Sequence, residues 1–259
     1  MSQFTNPQIC HTPHVARRPA VLIIESLKPR EMAKEWTEAR ATADVLKTLG
    51  VDSLYHQARG QEDLRTGARI FASGQFDVLH LACHGCDTAI QLTDGTMMNW
   101  NELATDLGHA VQGKQLVLSA CHGGCANVPK LFAASQYQPR AIIGPSCEIH
   151  WADLVVAWQV YYKSVLSTTR QPDHPCVAVS RVKMATDADL ICYQWKQEKG
   201  DYEVFKPSYG CAWEVIYRSF KAEIDAMQAS IDNNSTGSQQ GDGAITDTEG
   251  NQNNVSKTT

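Results

Sequence analysis

The sequence predicts an α/β domain built on a mostly parallel sheet with helices on both faces. Two observations carry this. Short continuous apolar runs, such as AVLIIES at 20–26 and QLVLSA at 115–120, read as strands buried on both faces. Segments with apolar residues at helical spacing separate these runs, and strands joined by helices of that length imply βαβ crossovers.

The first strand is AVLIIES. Pro29 then opens a helical stretch with Met32, Trp36, Ala39, Ala43 and Leu46 on one side, stopped at Gly50. VDSLY at 51–55 is the second strand. A helix around Leu64, Ala68 and Phe71 ends at Gly74, and FDVLHLA at 76–82 is the third strand. Asp94-Gly95 between two short runs predicts a hairpin. Asn99 or Asn101 can cap a helix reaching Leu107. QLVLSA follows as a strand, and Pro129 suits the first turn of the helix after it. AIIGP at 141–145 is another strand. In WADLVVAWQVYYKSVL the residues Trp151, Leu154, Val155, Trp158, Tyr161, Tyr162 and Val165 share one helix side. Residues 175–195 fit helix and strand equally, and Trp213, Ile216, Phe220 and Ile224 give a last helix.

The ends differ in character. Residues 1–19 hold three prolines and no period, as in a flexible arm, and the tail 230–259 is rich in Asn, Ser, Thr, Gly and Gln, a disordered composition. One folded domain is therefore expected over 20–229. A net charge of -5 gives no basic footprint for nucleic acid or an anionic membrane. No apolar run approaches the ~20 residues needed to span a bilayer. The N-terminus lacks the apolar core of a signal peptide. Nine cysteines, an odd number and several inside apolar runs, fit reduced thiols in a cytoplasmic protein better than a disulfide framework.

Two of the apolar runs end alike. FDVLHLACHGC (76–86) and KQLVLSACHGGC (114–125) both close in Ala-Cys-His-Gly with another Cys behind. Ligands of open α/β sheets bind beyond the carboxyl ends of strands, which is where both turns fall. Three chemistries compete. Cys83, Cys86, Cys121 and Cys125, beside His84 and His122, could supply the four ligands of a structural zinc. Zinc knuckles, however, sit on small hairpin turns, and Cys83 precedes its turn. A redox pair Cys83/Cys86 lacks the following helix that lowers a thiol's pKa. A Cys-His dyad needs one residue from each turn: a thiol attacks as thiolate, with an imidazole close by. A Gly after the His admits a substrate carbonyl to the backbone and leaves an N–H free as an oxyanion donor.

At these residues the sequence resembles the caspase-like cysteine peptidases of clan CD, in particular their prokaryotic CHAT-type branch. In that family one apolar block ends in His-Gly and a second in Ser/Gln-Ala-Cys, here VLHLACHG and LVLSACHGG. LTDGTMMNWNEL and RAIIGPSCEIHWADLVVAWQVYYKSV are similar to the family's hairpin-helix and its following strand-helix, so the resemblance covers roughly 75–166. It departs from the animal caspases in three ways. The separation of His84 and Cys121 is 37 residues (121 − 84) rather than about 50. Ser119 stands for Gln, and His122 follows the Cys.

The resemblance implies a caspase-like sandwich and a cysteine endopeptidase. Cys121 is then the nucleophile, and His84 the base and the acid for the leaving amine. The N–H groups of Gly85 and Cys121 form the oxyanion hole. No third carboxylate, cofactor or metal is implied. His122 adjoins the nucleophile, but adjacency does not aim its ring at the sulfur. Glu148 and Asp153, after the IIGP strand, are candidate substrate-binding residues that would favour a basic side chain. An acid at 153 equally suits a helix first turn. Trp100 and Trp151 either border the cleft or pack in the core. The implied partners are a protein substrate, such as a pore-forming or effector protein encoded nearby, and an activating partner; the implied setting is prokaryotic cell death or antiphage defence. Two rival readings stay open: a catalytically silent caspase-like interaction module, and a zinc-binding domain using the Cys/His clusters.

Overall fold

A computed structural model describes residues 19–33, 37–166 and 173–208, with 221, 224, 225, 227 and 229. The arm 1–18, Trp36, Trp213, Ile216, Phe220 and the tail from 230 lie outside the described residues. The chain divides into two compact units, 1–216 and 217–259. In the second, the described residues, Ile224 included, are helical, and Lys221 pairs with Asp225 at 3.7 Å.

The first unit alternates strands and helices. It runs β1 (Ala20–Ser26), α1 (Pro29–Met32), α2 (Glu38–Thr48), β2 (Asp52–Gln57), α3 (Gln61–Ser73) and β3 (Val78–Gly85). The hairpin β4 (Ala89–Gln91) and β5 (Met97–Asn99) follows, then α4 (Trp100–Leu107), β6 (Gln115–Ser119), α5 (Asn127–Ala134) and β7 (Ala141–Pro145). The unit closes with α6 (Trp151–Val165), α7 (Pro175–Ala185), β8 (Leu190–Lys196) and β9 (Asp201–Phe205). The strand order is β2-β1-β3-β6-β7-β8-β9. The first five of these strands are parallel, and β8 and β9 are antiparallel to their neighbours.

Alternation along the strands sends side chains to two cores. Leu22 and Ile24 of β1 pack with α3, α4 and α5 through Leu64, Phe71, Leu103 and Phe132. Val21 and Ile23 pack on the other face with α2, α6 and α7 through Leu46, Trp158, Tyr161 and Val179. This is the expected α/β sheet covered on both faces.

Four local readings are refined. The helical stretch expected to run on from Pro29 is two helices, because Thr37 is extended at the start of α2. The third strand continues past Ala82 to Gly85, since His84 and Gly85 also pair with β4. The ambiguous stretch 175–195 resolves into α7 and β8, with Pro175 at the helix start. Trp151, placed by periodicity on the apolar side of α6, is exposed, whereas Trp158, Tyr161 and Tyr162 are fully buried. Elsewhere the signals hold: Gly95 takes φ +89° in the β4–β5 turn, and Asn99 caps α4 by accepting from the Glu102 N–H.

Candidate active site

The site begins with register. β3 and β6 lie side by side in parallel, with Ala82 opposite Ser119. Past that pair β3 runs on through His84 to Gly85, while β6 ends at Ser119 and Cys121 opens the turn that follows. Gly85 then lies on the Cys121 backbone: a Cβ at Gly85 would collide with the Cys121 carbonyl oxygen and come within 3.4 Å of its nitrogen. Only a residue without a side chain permits that approach. His84 and Gly85 pair with Gln91 and Ile90 of β4, which carries the strand end on beyond the main sheet.

The turn after Cys121 is fixed by a second loop. The His122 N–H donates to Cys147 O at 3.2 Å, and the Gly124 N–H to Pro145 O at 2.7 Å. His122 has φ +61°, a left-handed conformation costly for a non-glycine residue. Cys121 itself is half-buried, its Sγ 3.7 Å from Ile149 O. The 145–150 loop therefore both ties down the turn and touches the thiol.

His84 has a partner that the sequence reading did not name. Its Nε2 lies 2.7 Å from Glu31 Oε2. The same oxygen accepts from the Lys28 N–H at 3.1 Å, which pins Glu31 to the first turn of α1. Burial pushes the Glu31 carboxyl up, but the hydrogen bond and charge of His84, with the Lys28 N–H, outweigh it and hold the group below its usual value. Glu31 is 53 residues from His84. An acid two places after a helix-opening Pro is ordinary first-turn chemistry, so no spacing signal marks it.

Beneath the strand ends lies a buried polar cluster, also unmarked in the sequence. Glu38 of α2 accepts from Ser119 Oγ at 2.7 Å and from Thr42 Oγ1 at 2.8 Å, and its Oε1 lies 3.3 Å from His80 Nε2. Trp158 Nε1 donates to Ser119 Oγ at 2.7 Å, and His80 Nδ1 meets the Tyr162 hydroxyl at 2.8 Å. Burial alone would push the Glu38 carboxyl up; the His80 charge and these hydrogen bonds hold it down. The cluster joins α2, β3, β6 and α6 a few residues below His84 and Cys121.

Glu148 and Asp153 line one recess of about 440 Å³, together with Ile149, His150, Asp187 and Asp189. Asp189 is paired with Lys183 at 2.8 Å. Ile149 connects this acidic recess to the Cys121 thiol. Trp100 is core, its indole N–H donating to Cys86 O at 3.2 Å, and Trp151 is tilted against the His150 ring.

The cysteines proposed as zinc ligands have other surroundings. Cys83 is buried in the core, and burial pushes its thiol well up. Cys86 faces Thr88 Oγ1 at 3.4 Å, and Cys125 lies 4.0 Å from Asp87 O. Among the described residues no three His, Cys, Asp or Glu side chains are gathered as metal ligands.

No protein-family model matches the chain. No curated protein matches it either. Solved structures similar to it include the Arg-specific cysteine proteinase gingipain R, at 13% identity and TM-score 0.40, over 57% of this chain and 36% of that one. A secreted C11 cysteine protease of Bacteroides thetaiotaomicron, "iotapain", is 8% identical with TM-score 0.49, over 68% and 66%. A complex of the Porphyromonas gingivalis RgpB pro- and mature domains is 14% identical with TM-score 0.42, over 64% and 41%. The chain thus spans between about a third and two thirds of the length of these structures. At such identities and scores the likeness decides nothing about activity, which has to rest on the geometry.

Proposed function

We propose that the chain is a cysteine endopeptidase working through Cys121 and His84. The observation that supports this is the close approach of Gly85, the residue after His84, to the Cys121 backbone at the ends of two neighbouring parallel strands, with Glu31 on the His84 Nε2. With Nε2 held by Glu31, Nδ1 is the nitrogen left to exchange a proton with the thiol. The Cys121 thiolate attacks the scissile carbonyl, and the N–H groups of Gly85 and Cys121 receive the oxyanion. His84 then gives its proton to the leaving amine. A water activated by the same ring releases the acid and restores the thiol. Glu31 acts as a positioning residue: it fixes the ring and favours the imidazolium that forms, as the carboxylate does in other triads.

The acidic recess beside Ile149 supports a basic side chain before the scissile bond, with Glu148 and Asp153 as its binding carboxylates. The resemblance of the two strand-end motifs supports a CHAT-type peptidase acting on a protein substrate, such as a pore-forming or effector protein encoded nearby, in prokaryotic defence and under an activating partner. The nine cysteines, several of them inside apolar runs, support a cytoplasmic setting.

An unbiased peptide-library digest tests the reading. Wild type is expected to cut after Arg or Lys, Cys121→Ala not at all, and Glu148→Gln/Asp153→Asn with the basic preference reduced. Cleavage retained by Cys121→Ala removes the nucleophile from the reading. Loss with His122→Ala but not with His84→Ala reverses the choice of base.

A further inference from the structure

Seven free cysteines fall among the described residues, and two of them meet far from the dyad. Cys176 is the second residue of α7, and its Sγ lies 3.8 Å from Cys192 Sγ on β8. Their surroundings are unequal. Cys192 is fully buried in the core between α7 and the sheet. Cys176 is half-buried at the start of an eleven-residue helix, and its N–H donates to Nδ1 of His174, the residue before Pro175. A helix N-terminus and a histidine both favour a thiolate.

The two thiols divide their roles accordingly. The hydrogen bond with Cys192, then His174 and the Lys196 charge, hold the Cys176 thiol well below its ordinary value against the effect of burial. Cys192 is pushed up by its bond to Cys176 and by burial. Cys176, half-buried at the helix start, is therefore the thiol that an oxidant reaches first, and the fully buried Cys192 stands behind it as the resolving thiol.

The place is also separate from the candidate active site. Cys192 forms part of the wall of a recess of about 580 Å³ together with Val78, Gln115 and Ala141, which begin β3, β6 and β7. Those are the amino ends of the parallel strands, whereas His84 and Cys121 stand at the carboxyl ends.

We propose that Cys176 and Cys192 form an oxidisable dithiol, a modification site that takes a small hydroperoxide. The Cys176 thiolate attacks one peroxide oxygen, the O–O bond breaks, and hydroxide leaves and becomes water on protonation. Cys176 is then a sulfenic acid. The Cys192 sulfur attacks it, the S–O bond breaks, and a second water departs with the Cys192 proton. The two thiols lose two protons and two electrons, and one hydrogen peroxide becomes two waters. Closing the sulfurs from 3.8 Å to a bond of about 2.05 Å needs only a small shift of the helix start against the strand. The product ties α7 to the sheet around a sixteen-residue span (192 − 176).

Hydrogen peroxide treatment of the full chain, followed by non-reducing peptide mapping, tests this. The expected result is a Cys176–Cys192 linked peptide 2 Da lighter than its parts. The melting midpoint should rise by about 5 °C or more, the usual scale for closing such a loop. With Cys192→Ser the sulfenic acid has no resolving thiol, so dimedone should label Cys176. Should that core variant fail to fold, alkylation of wild type by iodoacetamide at pH 6 decides: Cys176 should react about tenfold faster than exposed Cys147. Equal rates, a link between other cysteines, or no mass loss overturns the proposal and leaves two cysteines packed as small apolar side chains.

Discussion

Glu31 shows how much one side chain can hold. A single oxygen meets both the His84 ring and the Lys28 N–H, so the carboxylate joins the helix start to the end of β3. Glu31→Gln keeps the shape and can still meet the ring, but it removes the charge that favours imidazolium. The expected effect is a fall in kcat on the order of 10- to 100-fold with KM unchanged, the usual cost of losing a residue that orients a catalytic one. Steady-state kinetics on a peptide with Arg before the scissile bond measures it; a change confined to KM would make Glu31 a substrate contact instead. His84 and Cys121 draw notice in the sequence because each closes an apolar strand in a recurring pattern. Glu31 is not, because its role depends on a contact across 53 residues that no local pattern encodes. His80 was equally hidden: inside the apolar run VLHLA it fits a strand, and only its pairing with Glu38 reveals a charged cluster.

At the scale of elements, the buried cluster ties α2, β3, β6 and α6 together. Ser119 is its junction, donating to Glu38 and accepting from Trp158. Ser119→Ala leaves an indole N–H and a carboxylate oxygen without this partner in the interior. A loss of about 1–3 kcal/mol in unfolding free energy is expected, read from the urea midpoint. A loss below about 0.5 kcal/mol would mean that both groups find substitutes. The elements themselves were mostly readable, since the strands are apolar runs and the hairpin carries Asp94-Gly95. The division between α1 and α2 was not, as Thr37 differs little from its neighbours in helix propensity. Nor was the extension of β3 to Gly85, which is made by tertiary pairing with β4. α7 and β8 resisted because Val and Ile serve either state, and the sheet decided between them.

For the molecule as a whole, the carboxylates set the response to acid. Glu31 and Glu38 have folded values below the ordinary 4.5, so each contributes stability that is fully present above that pH. The contribution is lost as pH falls through their folded values. Glu25 acts in the opposite sense. Burial raises its carboxyl above 4.5 despite the bond from Tyr55, so its part of the stability declines as pH rises through that higher value. The melting midpoint should therefore hold or rise slightly on going down toward about pH 4.5 and fall below it. Glu38→Gln should flatten the low-pH fall, at the cost of lower stability near neutrality. An unchanged slope in that variant would show that other acids dominate.

The ties between the Cys121 turn and the 145–147 backbone also bear on how the protein is made. His84 and Cys121 leave the ribosome before β7, yet the turn carrying the thiol is held by Pro145 and Cys147. A growing chain that has passed residue 121 but not residue 147 owns both reacting side chains without the backbone that aims them. On the proposed peptidase reading, a nascent chain would stay idle until the strand following Cys121 has been synthesised and docked. Stalled chains released at residues 140 and 160 and probed with a thiol-directed peptide inhibitor would place the onset of labelling between those lengths.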